Sequence, residues 1–173
     1  MRKKGFLLAL SVLLALGCAA ACGKSAKEKR LEELRSWELQ NFTEGQAAKP
    51  HPKPLPKGLV VVVPPSIRAK YKAVVMEVAD LKAKEIKKFT VRVGSAVKVP
   101  GTDYTLEISA YLPNWKYVGN TVTTKDDRPS DPAVRAIIRE KGREVFNGFL
   151  FEEAKTPSFM TDKYAIGLLA AAK

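Results

Sequence analysis

From Leu59 onward the apolar positions recur with a period of two. Phe89, Val91 and Val93 alternate with Lys88, Thr90 and Arg92, the spacing that sends neighbouring side chains to opposite faces of a half-buried strand. Tyr104, Leu106, Ile108, Ala110 and Leu112 alternate with Thr105, Glu107, Ser109 and Tyr111, which predicts a second strand with Tyr111 in the polar register. Residues 72–79 form a β-rich run, and 82–85 are expected to turn it back onto a strand at Ile86. Val97-Lys98-Val99 stops at Pro100-Gly101, a strong turn signal. Further strands are expected over 134–139, 145–151 and 164–169. In Phe146-Asn147-Gly148-Phe149-Leu150-Phe151 the apolar side chains point both ways, which predicts a central strand covered on both faces. Some seven short strands at this spacing predict a mainly β domain, a small antiparallel sandwich or barrel spanning 59–173. Its length of about 115 residues suffices for one core.

Upstream the pattern changes twice. Over 22–44, Leu31, Leu34, Trp37 or Glu38, and Asn41 or Phe42 recur at roughly helical spacing among mixed charges. A short amphipathic helix is expected, its narrow apolar stripe able to fray, dock on the domain or lie on a membrane. Over 45–58, Lys49-Pro50-His51-Pro52-Lys53-Pro54-Leu55-Pro56-Lys57 alternates proline with mostly basic residues. Proline fixes its own φ and extends its predecessor, so this linker is expected to be a polyproline II spacer that, with the helix, holds the domain away from a bilayer.

The first residues supply the bilayer. Arg2, Lys3 and Lys4 precede an uncharged stretch containing Phe6, Leu7, Leu8, Leu10, Val12, Leu13, Leu14 and Leu16, followed by Ala19-Ala20-Ala21. A basic start, a short apolar core and small residues read as an export signal over 1–21. The apolar run is marginal for a spanning helix, which needs about 20 residues. Cys18 and Cys22 each follow a small residue, as the lipid-accepting cysteine of a bacterial lipoprotein does. Cys22 is favoured because Ala20-Ala21 precede it, whereas Leu16 is an unusual neighbour for Cys18. The expected location is the cell envelope, lipid-anchored at the outer membrane and facing the periplasm. No cysteine follows Cys22, which excludes a disulfide within the exported domain and a thiolate metal site there. Gly23-Lys24-Ser25 is not a phosphate loop, because Cys18 stands where its first glycine belongs.

The chain carries a formal charge of +12, of which three sit at Arg2, Lys3 and Lys4, leaving +9 for the remainder. Export argues against nucleic acid as the partner. The densest basic stretches, Arg68-Lys70-Lys72 and Lys82-Lys84-Lys87-Lys88, read as a solvated face or as contacts to anionic headgroups or cell-wall polymers.

Catalytic chemistry finds little support. His51 is the sole histidine and lies in the linker, so Ser109, Ser130 and Ser158 have no base of the hydrolase-triad kind. Glu152 and Glu153 are adjacent and face opposite sides of a strand. Asp126, Asp127 and Asp131 sit among prolines, where turn chemistry accounts for them better than calcium does. No catalytic residue, metal or cofactor is expected. Tyr111, Trp115 and Tyr117, around Pro113-Asn114, are either core or an aromatic surface for a ligand or partner. Three readings follow: a non-enzymatic envelope lipoprotein whose β domain binds a protein or envelope polymer; a periplasmic small-ligand module with an aromatic pocket; and a hydrolase using carboxylates alone.

The chain also resembles an uncharacterised bacterial family found in small lipoproteins, the domain of unknown function 2155. The matching pieces are Val61-Val62-Val63-Pro64, Tyr71-Lys72-Ala73-Val74, Val93-Gly94-Ser95, Val99-Pro100-Gly101, Tyr111-Leu112-Pro113, Gly119-Asn120, Asp131-Pro132-Ala133, Gly142 and residues 144–151. Members usually carry Trp where Phe149 stands and His-Pro before the final Tyr, where this chain has Asp162-Lys163. The resemblance implies a β domain in the envelope and no known activity.

Overall fold

The computed structural model describes residues 25–43, 58–152 and 158–172; the signal segment, Cys18, Cys22, His51 and the proline linker lie outside them. Among the described residues, two helices, α1 (Ala26–Thr43) and α2 (Pro65–Lys70), accompany eleven strands. In chain order these are β1 (Val60–Val61), β2 (Ala73–Asp80), β3 (Glu85–Arg92), β4 (Ser95–Lys98), β5 (Tyr104–Leu112), β6 (Trp115–Val118), β7 (Thr121–Thr124), β8 (Ala133–Glu140), β9 (Arg143–Phe151), β10 (Phe159–Met160) and β11 (Tyr164–Ala171). The fold is mainly β, as the alternating pattern predicts.

Two four-stranded antiparallel sheets, ordered β10-β11-β2-β3 and β4-β5-β8-β9, face each other. The chain crosses between them at Val93-Gly94. There consecutive amides bond to different sheets, Val93 N to Lys72 O (2.9 Å) and Gly94 N to Ile108 O (2.6 Å). On the other side a bridge between Glu152 and Leu168 links β9 to β11. The result is a sandwich joined along both flanks. The turn between β8 and β9 places Lys141 and Gly142 both at positive φ (49° and 86°), the twist a two-residue hairpin requires.

The interior of the sandwich holds Val74, Met76 and Val78 of β2, Leu106 and Ile108 of β5, Val134, Ala136 and Ile138 of β8, and Phe146 and Leu150 of β9. A second apolar cluster lies on the outer face of the β4-β5-β8-β9 sheet. There Ala110, Leu112, Ala133 and Phe149 pack with Val63, Ile67 and Val122. Strand β9 is therefore covered on both faces, as its sequence indicates. In sheet order, however, it ends its sheet rather than occupying the centre, because the cover comes from a third small sheet rather than from flanking strands.

One irregularity reassigns a side chain. The β5–β8 register slips between Ile108 and Ala110, so Ser109 is an extra residue and the side-chain phase reverses beyond it. Before the bulge, Tyr104, Leu106 and Ile108 point into the sandwich. After it, Tyr111 does so, while Ala110 and Leu112 move to the outer cluster.

Helix α1 opens on a reciprocal capping box. Glu28 N donates to Ser25 Oγ (3.2 Å), and Ser25 N donates to Glu28 Oε2 (2.8 Å), satisfying amides that a helix start leaves unpaired. Leu31 and Leu34, 7% and 2% exposed, pack with Ala79, Leu81, Met160 and Ala165. Arg30 reaches Glu77 at 3.2 Å. The helix thus docks on the outer face of the β10-β11-β2-β3 sheet. It is part of the folded body, which corrects its expected role as a stand-off element.

Candidate functional site

The third sheet, ordered β1-β7-β6, lies over the second apolar cluster. It starts where Asn120, in the β6–β7 turn, donates from Nδ2 to Gly58 O. Val60 N and Val62 N then donate to Asn120 O and Val122 O, which lays the β1 segment parallel to β7. The turn itself, Gly119-Asn120, has Gly119 at φ 58° between Val118 and Thr121, a paired couple. Gly-Asn between β-formers is a hairpin signal visible in the sequence. The strands it joins were not among the expected ones, because four residues are too few to show a period.

The two faces of this sheet differ. Val61 and Val122 share a row and turn toward the sandwich, Val122 being 1% exposed. The alternate row, Val60, Thr121 and Val118, turns outward together with Val62. Among the described residues, the large hydrophobic side chains exposed to solvent are Val60, Val62, Tyr117 and Val118, at 46–56%. Val60, Val62 and Val118 lie on the outward side of this sheet, whereas Tyr117, paired with Val122, belongs to the inward row and is exposed because β6 is the sheet's edge. Scattered exposed apolar residues need no explanation, but a contiguous group does. Nearby acids are already engaged: Lys70 Nζ meets Asp127 Oδ2 at 2.6 Å and Arg128 Nη2 donates to Asp126 Oδ2 at 2.7 Å. The hydrogen bonds from Arg128 and from Asn114 push Asp126 down to about 2, and the Lys70 ammonium lowers Asp127.

The three aromatic residues singled out from the sequence separate. Tyr111, left open between core and ligand surface, is 1% exposed and lies in the main core with its ring 4.9 Å from Tyr71. The bulge at Ser109 is the cause. Burial, with the Glu152 carboxylate nearby, raises its phenol above the ordinary range, and its hydroxyl has no hydrogen-bond partner among the described residues. Trp115 is half-buried against Phe151, the rings 5.5 Å apart and edge-on. Tyr117 alone of the three is exposed, on the β6 edge of the small sheet. Phe159 and Met160 are buried in β10.

A separate cleft of about 540 Å³ opens at the opposite end of β5, between the 98–104 turn and the 161–164 turn. Tyr104 and Tyr164 form its aromatic wall, their centroids 5.9 Å apart. Burial and the neighbouring Glu140 raise the Tyr104 phenol. Tyr164 Oη donates to Gly101 O (3.2 Å), and Lys163 Nζ lies 4.9 Å over its ring. Asp103, Glu140 and Asp162 also line the cleft. Asp103 lies 3.8 Å from Lys98, and Asp162 lies 3.5 Å from Lys82. Trp115 is not part of it.

Among the described residues, no group of His, Cys, Asp and Glu is arranged to hold a metal ion, and no helix is long and apolar enough to cross a membrane. No protein-family model matches the chain, and no curated protein or solved structure matches it. The likeness to the domain of unknown function 2155 rests on the residues quoted for it.

Proposed function

We propose that this chain is a cell-envelope lipoprotein, anchored through lipid on Cys22, whose β domain binds a protein partner and catalyses no reaction. The observation that carries the binding role is the outward face of the β1-β7-β6 sheet, where Val60, Val62 and Val118 stand exposed together, with Tyr117 exposed at the adjoining β6 edge. The partner's chemistry follows from charge. Lys116 and Lys125 flank this face, the adjacent aspartates are already paired, and the chain as a whole is strongly basic. An apolar partner surface rimmed by carboxylates complements it, whereas a second copy brings like charges together.

A photo-crosslinking residue at Val118, introduced in cells, tests the reading. The expected product is a discrete protein adduct that is lost when Val60 and Val62 are changed to Asp. Adducts identical to those from a control position at Ser109 count against it, and a polymer smear sensitive to glycan hydrolases favours an envelope polymer instead. Palmitate labelling of Cys18→Ser and Cys22→Ser variants tests the anchor: label is expected to vanish only in the second.

The small-ligand reading keeps one supporting observation. The cleft beside Tyr104 and Tyr164 has the volume of small-molecule sites. Its walls are mainly polar, with Lys98, Asp103, Glu140, Asp162 and Lys163 among them, unlike the predominantly apolar pockets such sites use. The carboxylate-hydrolase reading is weaker, because Asp103 and Asp162 each face a lysine.

A further inference from the structure

The capping box puts the first residue of the folded body at Ser25. Only Gly23 and Lys24 separate it from Cys22, so a fully extended chain spans about 11 Å between Cys22 and Ser25. Residues 44–57 do not lengthen this tether. They leave α1, which is buried against β2 through Leu31, Leu34 and the Arg30–Glu77 pair, and they rejoin the same body at Gly58, held by Asn120. A segment whose two ends belong to one folded unit cannot act as a stand-off between that unit and an anchor that precedes both ends.

We infer that the α1-bearing side of the domain lies directly against an anionic lipid surface, and that the β1-β7-β6 face is thereby turned away from the bilayer. This rests on lipidation at Cys22. The side in question is basic. Lys27 and Lys29 are exposed on the first turns of α1. Lys82 and Lys84 follow Leu81, which packs in the same cluster as Leu31 and Leu34. Lys88 stands opposite Glu77 and Arg92 opposite Ala73, on the sheet face that α1 covers in part. Of the acids there, Glu28 caps the helix, Glu77 holds Arg30, Glu33 lies 3.5 Å from Arg30, and Glu32 is exposed on α1, still fewer than the cations around them. Asp162 lies 3.5 Å from Lys82. A tether of about 11 Å is close to a Debye length of about 10 Å, so these cations fall within the range where anionic headgroups attract them. The β1-β7-β6 sheet covers the outer face of the other large sheet. The whole sandwich therefore separates the partner-binding face from the lipid face.

Energy transfer in proteoliposomes tests the orientation. The domain has no cysteine after Cys22, so Thr90→Cys, on the exposed α1 side, and Val118→Cys each supply one labelling position. The full-length lipidated chain is reconstituted into phosphatidylcholine vesicles containing phosphatidylglycerol and a headgroup-linked acceptor. Transfer from position 90 is expected to exceed that from position 118, and the excess is expected to shrink in the Lys82→Glu, Lys88→Glu double variant. Equal or reversed transfer, with diacylglycerol present by intact mass, overturns the orientation and leaves the anchor standing. An excess unaltered by the double variant overturns the headgroup contact. Protein lacking the lipid mass removes the anchor, and the inference falls with it.

Discussion

Arg30 Nη2 of α1 lies 3.2 Å from Glu77 Oε1 of β2. The Glu77 side chain is 11% exposed and that of Arg30 29%, so this contact between distant parts of the chain sits at a sealed helix–sheet seam. A carboxylate this enclosed needs its partner more than the partner needs it. Arg30→Ala is expected to destabilise the domain by about 1–2 kcal/mol, allowing for Arg30's partial exposure. The double change with Glu77→Leu is expected to recover part of that loss. Urea denaturation of the four proteins in the cycle measures the coupling, and strictly additive effects would deny it.

Leu34 is the hydrophobic fastener of the same seam, at 2% exposed. Leu34→Ala is expected to cost about 2–4 kcal/mol and to raise amide exchange along α1. Lys29→Ala, an exposed neighbour, is expected to change stability by no more than about 0.5 kcal/mol. Similar losses for both would mean that α1 is not seated as described.

Tyr111 carries a buried hydroxyl with no partner among the described residues. Tyr111→Phe removes an atom that water would have solvated, so the change is expected to be neutral or mildly stabilising in thermal melts. A loss above about 1 kcal/mol would show that the hydroxyl is hydrogen-bonded in the folded protein.

Gly148 lies beneath the Phe146 ring; a Cβ there would come within 2.8 Å of Phe146 Cζ. Phe146 is 2% exposed and edge-on to Phe159, so it has little room to yield. Gly148→Ala is expected to destabilise by about 1–3 kcal/mol through overpacking, read from the denaturation midpoint. Unchanged stability would show that the ring repacks freely.

Asp126, held at about 2 by Arg128 and Asn114, stabilises its loop above its unfolded value of about 3.9. That contribution is lost as pH falls through about 2. Chemical shifts of residues 125–131 are expected to titrate with a midpoint near pH 2, and Asp126→Asn should abolish the part due to this group. A midpoint near 4 in the folded protein would contradict the hydrogen bonds drawn to it.

Much of the sandwich was legible in the sequence, because β3 and β5 alternate with a period of two over most of their length, while β2 and β9 show the β-rich apolar runs of more fully covered strands. The candidate site was legible only in fragments. Of the aromatic residues left open between core and surface, Tyr111 is buried and Tyr117 is exposed; strict alternation puts Tyr111 among the polar positions, because a single extra residue at Ser109 inverts the register and alternation carries no mark of a bulge. Strands β1, β6 and β7 are too short to display a period, although Gly119-Asn120 marked the turn between two of them.

By itself, then, the sequence determined the mainly β character and the helical spacing of Leu31 and Leu34. These are local properties, set by side-chain periodicity and by hydrogen bonds between residues a few positions apart. Only the tertiary structure decided that α1 seats on β2, that Tyr111 turns inward, and that Val60, Val62 and Val118 gather on one exposed face. Each of these depends on contacts between segments tens of residues apart, which are selected by the burial of the whole chain rather than by any stretch of it.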